Sequence, residues 1–198
     1  MYVLVISVFS MAFLLIFACG LVIVCFMVTA LKLNGVYVSR GQCLIINEIH
    51  YQSKGNSKIK WDRGGTIIDA KNLKDNWEKA GCEVHIRADL TRLKMDMVLN
   101  DFRKNLECIK PDFIVVIILS HGRFNRKTGL DEILCCDLEA LPTDEILDRF
   151  IDAEKCPAMV NKPKLFYIQA CRGSKAQINL EGLLDDTDVT PNLSLIHI

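Results

Sequence analysis

The chain has 198 residues, and its 24 Lys and Arg balance its 24 Asp and Glu, so no global field recruits nucleic acid or an anionic surface. All of that charge lies beyond residue 31, because residues 1–31 contain no Asp, Glu, Lys or Arg. Nine cysteines without a Cys-x-x-Cys pair, and without His/Cys clusters at zinc spacing, indicate neither a disulfide framework nor a metal site. A reducing compartment fits best, and no cofactor is expected.

The apolar leader reads first as a hydrophobic N-terminal helix. Thirty-one residues in helix extend roughly 46 Å, against about 30 Å of hydrocarbon, so residues 3–31 could cross a bilayer as a transmembrane anchor. A secretory signal fits less well, since Met1 leads straight into Tyr2-Val3-Leu4 with no basic stretch before it. Lys32, Arg40, Lys54, Lys58, Lys60 and Arg63 all come after the run, which leaves the rest of the chain on the cytoplasmic side. The alternative is a leader that is not native coding sequence, and the chain is then simply cytoplasmic.

Residues 32–42 form a polar connector to a domain spanning 43–180. Cys43-Leu44-Ile45-Ile46 suits a buried strand, and a Lys-, Ser-, Asn- and Gly-rich loop comes next. Ala70, Leu73, Trp77 and Ala80 recur at helical spacing, and Gly81 stops that helix. From Cys82 to Arg87 the residues alternate, as in a half-covered strand. Thr91 can cap a second helix with the stripe Met95, Leu99, Phe102 and Leu106, ending before Lys110-Pro111. Phe113–Leu119 is apolar throughout, as a central strand covered on both faces requires. A loop with a hairpin precedes a third helix from Thr143, carrying Ile146, Leu147, Phe150 and Ile151, and Lys164 to Ile168 forms a last strand. Strand and helix thus alternate, which predicts an α/β fold with a mainly parallel sheet flanked by helices on both faces. Residues 181–198, with Asp185, Asp186, Asp188 and Pro191, have no period and read as an exposed acidic linker that is truncated.

Two of these strands deliver chemistry. Phe113–Leu119 runs into Ser120-His121-Gly122, and the final strand into Gln169-Ala170-Cys171-Arg172-Gly173. A thiol needs a nearby imidazole to become an acyl-transfer nucleophile, and adjacent parallel strands ending together place such a pair at one sheet edge. Alone, His-Gly is a weak signal and a strand-end Cys is more often packing. Together, fifty residues apart, they read as a cysteine peptidase dyad.

On these motifs the chain resembles the caspases, from about Arg40 through Asp188. The similarity includes Gly41-Gln42-Cys43-Leu44-Ile45-Ile46-Asn47, Asp62-Arg63-Gly64-Gly65-Thr66, Gly81-Cys82-Glu83-Val84 and Lys162-Pro163-Lys164-Leu165-Phe166-Tyr167-Ile168. It covers the large-subunit region of that family. The resemblance implies that Cys171 attacks the peptide carbonyl, that His121 carries the proton to the leaving amine, and that the N–H groups of Gly122 and Cys171 hold the oxyanion. A backbone carbonyl near Trp61 would orient the imidazole.

The resemblance further implies that Arg63 and Gln169 read an aspartate before the cut, which a guanidinium fork beside an amide can do. A related hydrolase cutting after basic residues is disfavoured, since Arg63 would repel such a side chain. Arg172 reads as structural, and Asp188 as the processing position of a zymogen. Implied partners are protein substrates, a small subunit that completes the sheet, and a second copy in a mature homodimer. Without that subunit, one sheet edge and half the substrate groove are expected to stay open. The rival function is a catalytically silent regulator that pairs with an active relative through that edge.

Overall fold

The computed structural model describes residues 40–51 and 62–170, together with the backbone of 3–7 and 195–196. Its main sheet contains strands β1 (Val3–Ser7), β2 (Gly41–Asn47), β3 (Cys82–Ala88), β4 (Phe113–Leu119), β8 (Lys164–Gln169) and β9 (Leu195–Ile196), in the order β3-β2-β4-β8-β1-β9. The pairs β2–β3, β2–β4, β4–β8 and β1–β8 are all parallel, as the alternation of strand and helix predicts. A second, antiparallel sheet holds β5 (Gly122–Asn125), β6 (Leu130–Leu134) and β7 (Ala140–Pro142).

Alternation along the central strands sorts the core into two layers. Cys43, Ile45, Val115, Ile117 and Leu119 face helix α1 (Thr66–Lys79), which buries Ala70, Leu73 and Trp77 against them. Leu44, Ile46, Ile114, Val116, Ile118, Phe166 and Ile168 face the opposite way, toward α2 (Arg92–Ile109) and α3 (Thr143–Ile151). The helix signals act as expected. Thr91 accepts the N–H of Lys94 at 3.4 Å, and Gly81 takes φ +90 just beyond α1. Lys110 ends α2 in the left-handed region, its N–H bonded to the Leu106 carbonyl.

Gly41 is required by close approach. A methyl group there would lie 2.4 Å from the Phe113 ring and 2.6 Å from Cys82 Sγ, closer than side chains pack. At the start of β8, Lys164 is only 1% exposed, and its Nζ donates to the carbonyls of Met159 (2.6 Å) and Lys162 (3.2 Å). That pairing satisfies a charge the sheet would otherwise bury alone.

Two expectations are corrected, at Val3–Ser7 and at residues 195–196, and the expected hairpin gains a strand. Val3–Ser7, placed by sequence in a helix, is a strand running parallel to β8, with Val3 opposite Lys164 and Ser7 opposite Ile168. The reason is that β8 would otherwise expose a row of unpaired backbone groups, which a segment rich in β-branched residues can satisfy, while a uniformly apolar run has no period to separate helix from strand. Beside β8 the sheet therefore continues into β1, and its outer strands are β3 and β9. Residues 195–196, expected in a structureless linker, pair antiparallel with β1. Finally, β7 adds a short third strand to the predicted hairpin. Residues 8–31 lie outside the described residues; among the described ones, no helix is long and apolar enough to cross a membrane.

Candidate active site

Strands β2, β4 and β8 end level with one another. Asn47 is in register with Leu119, and Leu119 with Gln169, so the residues just beyond them all emerge at one edge of the sheet. The N–H of Ser120 donates to the Gln169 carbonyl at 3.0 Å, extending the β4–β8 pairing one step beyond the strand. His121 comes next and is half-buried.

The histidine is fixed by its surroundings. Its backbone N–H donates to Tyr51 Oη at 3.0 Å, and its ring packs on the Tyr51 ring with centroids 4.9 Å apart. Its carbonyl accepts from the N–H of Leu134 at 2.8 Å. That last bond makes Gly122 and Ile133 a non-hydrogen-bonded pair in the β5–β6 ladder, so the N–H of Gly122 points away from β6. A donor adjacent to His121, on a residue without a side chain, is thereby left for another acceptor.

Arg63 and Gln169, 106 residues apart, meet at this edge, where Arg63 Nη2 donates to Gln169 Oε1 at 3.5 Å. The arginine backbone is anchored: its N–H donates to the Ile49 carbonyl at 2.8 Å, and its own carbonyl accepts from Thr66 Oγ1 at 2.7 Å. Asn47, buried at the end of β2, donates to the Thr66 carbonyl at 3.2 Å and ties the turn to the sheet. Nη1 of Arg63 is buried without a hydrogen-bond partner among the described residues. A buried guanidinium nitrogen in that state is a receptor for an anionic oxygen.

Beneath the edge lies Glu48, which is fully buried. Its carboxyl oxygens accept the Leu90 N–H at 3.1 and 3.0 Å, and its own N–H donates to the Leu119 carbonyl at 2.8 Å. Burial pushes this carboxyl up to about 8, the Leu90 bond opposes the shift, and the charges of Asp89 and Asp137 add to it. Among the described residues Cys43, Cys82, Cys108, Cys135, Cys136 and Cys156 are free thiols. Burial raises the five buried ones, Cys136 to about 11 and Cys82 to about 12, so these serve as packing and not as activated nucleophiles.

Of the residues singled out from sequence, the structure thus gathers His121, Gly122, Arg63 and Gln169 at one sheet edge. Cys171, Arg172, Asp188 and Trp61 lie outside the described residues. Sequence reasoning gave no role to Tyr51, Asn47, Glu48 and Ser120, although Asn47 and Ser120 stand within the sequence motifs. Their signal was position at or shortly after a strand end.

Comparison with known proteins settles the family. The caspase domain model matches residues 40–192. The chain belongs to the caspase family. It is 38% identical over 138 residues to caspase-10 of Homo sapiens, covering 70% of this chain and 24% of that protein. To cell death protein 3 of Caenorhabditis remanei it is 34% identical over 154 residues, covering 78% and 27%. To caspase-3 of Bos taurus it is 31% identical over 145 residues, covering 73% and 48%. The Drosophila initiator caspase Dronc has a similar fold, with a TM-score of 0.57 at 21% identity over 66% of this chain and 48% of that one. This caspase chain therefore spans less than half the length of the relatives it matches.

Proposed function

We propose that this chain carries the larger part of a cysteine endopeptidase that cuts proteins after aspartate, within apoptotic or inflammatory signalling. The observation that carries the proposal is the meeting of Arg63 with Gln169 beside His121, with one guanidinium nitrogen buried and unpartnered among the described residues. A substrate carboxylate entering there gains a charge-assisted bond and removes an unsatisfied donor, whereas Asn offers a neutral oxygen and Glu a longer arm.

In this mechanism Cys171, joined to buried Ala170 by a single peptide unit, attacks the carbonyl after the aspartate. The proton of the thiol passes to His121 and from there to the leaving amine, and the acyl-enzyme is then hydrolysed by water that His121 activates. The N–H of Gly122, outside the β5–β6 ladder, joins that of Cys171 in holding the oxyanion. Neither a metal nor a cofactor enters these steps. Cleavage after Asp188 would free the C-terminal end of the large subunit, and the mature enzyme would be a cytoplasmic homodimer of large and small subunits.

The alternative is a catalytically silent regulator pairing with an active relative. In both readings, an added chain that pairs directly with β8 has to displace Val3–Ser7. The test measures hydrolysis of an aspartate-ended fluorogenic peptide by the chain, alone and with a supplied caspase small subunit, against Cys171→Ala. Turnover in the supplemented wild type that Cys171→Ala abolishes is the expected result. No turnover in either pairing overturns the enzyme in favour of the regulator.

A further inference from the structure

Tyr51 touches His121 twice. Its Oη accepts the backbone N–H of His121 at 3.0 Å, and its ring lies against the imidazole at 4.9 Å between centroids, tilted by 48°. The tyrosine is itself buried, at 9% exposure, and so is not a surface residue in passing contact.

The hydroxyl is one link of a directed chain. Ser120 Oγ lies 2.5 Å from the Leu134 carbonyl and 3.0 Å from that of His121, so its single proton goes to a carbonyl, chiefly the nearer one. Ser120 Oγ can then accept from Tyr51 Oη, 3.0 Å away, which leaves Tyr51 Oη to accept from His121. Tyr51 then donates once and accepts once, while the serine proton faces the carbonyls of both Leu134 and His121. The chain ends at Leu134, whose N–H also holds the His121 carbonyl, so both backbone polar groups of the histidine are tied to the same residue of β6. Burial pushes the phenol up to about 12, so Tyr51 keeps its proton throughout the neutral range.

We propose that Tyr51 is a positioning residue for His121: its ring sets the plane of the imidazole and its hydroxyl anchors the backbone through Ser120 to Leu134. The inference rests on His121 acting as the acid and base, since only then does imidazole placement matter to chemistry. A proton shuttle between sulfur and leaving nitrogen tolerates little displacement, and phenylalanine at this position would keep the ring contact but leave the His121 N–H without its acceptor.

The test reads the thiol directly and requires no added subunit. In the full chain, the rate of Cys171 alkylation by iodoacetamide is followed from pH 5 to pH 10, resolved from the other cysteines by peptide mass spectrometry. A thiolate held by an imidazolium reacts well below the ordinary thiol range of about 8.5, and His121→Ala should remove that acidic step. Tyr51→Phe should keep the step but slow alkylation at pH 7 about tenfold and move the inflection about one pH unit toward the ordinary thiol, the scale of one lost hydrogen bond. Ser120→Ala, which breaks the same chain one link further on, should shift it the same way by less.

Urea midpoints recorded on the same samples separate simple destabilisation, which moves the midpoint and not the inflection. If Tyr51→Phe fails to fold, Ser120→Ala decides the matter alone. A profile that His121→Ala leaves unchanged sinks the dyad, and the inference with it. A His121-dependent profile that Tyr51→Phe and Ser120→Ala leave at wild type keeps the dyad and overturns the role of Tyr51.

Discussion

Glu48 predicts a pH dependence of stability that a single substitution should erase. Its carboxyl is fully buried and titrates at about 8 in the folded chain, against 4.5 for the ordinary group. Between those values the folded state holds a proton that the unfolded state has released. Stability therefore falls as pH rises through that window, by about 1.4 kcal/mol per pH unit and at most about 5 kcal/mol in total. Glu48→Gln keeps an oxygen for the Leu90 N–H and cannot ionise. It also brings an NH2 group that needs partners, at a cost of about 1–3 kcal/mol. The variant should accordingly be somewhat less stable than wild type at pH 5 and more stable at pH 8.5. Urea unfolding at pH 5, 7 and 8.5, followed by the fluorescence of buried Trp77, gives the comparison, and taking the difference between variant and wild type removes the other titrating groups. A difference that stays constant across the three pH values would refute the reasoning.

Gly41→Ala should cost about 1–3 kcal/mol in urea unfolding, because its methyl must push aside the Phe113 ring and Cys82 at the rim of the core. Leu99→Ala, which empties a fully buried position on α2, should cost about 2–5 kcal/mol by the same measurement. Asp96 bonds both Arg92 and Arg149, so Asp96→Ala should lower the urea midpoint by the equivalent of about 1–3 kcal/mol, where an isolated surface pair would give under about 1. In the supplemented enzyme, Arg63→Lys keeps the charge but loses the planar fork, and should raise KM for an aspartate-ended peptide about tenfold or more while kcat changes less.

Much of this architecture is legible in the chain because local periodicity and tertiary packing agree. The stripe Met95, Leu99, Phe102 and Leu106 is the buried face of α2, and the seven apolar residues of β4 are buried on both sides, as a central strand must be. Where periodicity is silent, the reading fails. Residues 3–7 offer the same apolar pattern to a helix as to a strand, and the free edge of β8 decides between them. The short strand β7 is too brief to carry an alternation of its own.

The site divides along the same line. His121 could be located because an apolar strand visibly stops before it. The meeting of Arg63 with Gln169 joins residues 106 apart, and in sequence only the resemblance to a family linked them. Tyr51 and Glu48 reach Ser120 and Leu90 across 69 and 42 residues, and no local pattern marks such contacts. Their importance appears only when the strand ends are assembled and each buried polar group is asked for its partner.

The most direct test of the proposed chemistry is a crystal structure of the full chain, paired with a small subunit and treated with a peptide aldehyde ending in aspartate. The expected result is a thiohemiacetal on Cys171, its oxygen at the Gly122 N–H, His121 within hydrogen-bond reach, and the aspartate carboxylate on Arg63 and Gln169. An unmodified Cys171, or an adduct whose carboxylate lies in solvent away from Arg63, would contradict it.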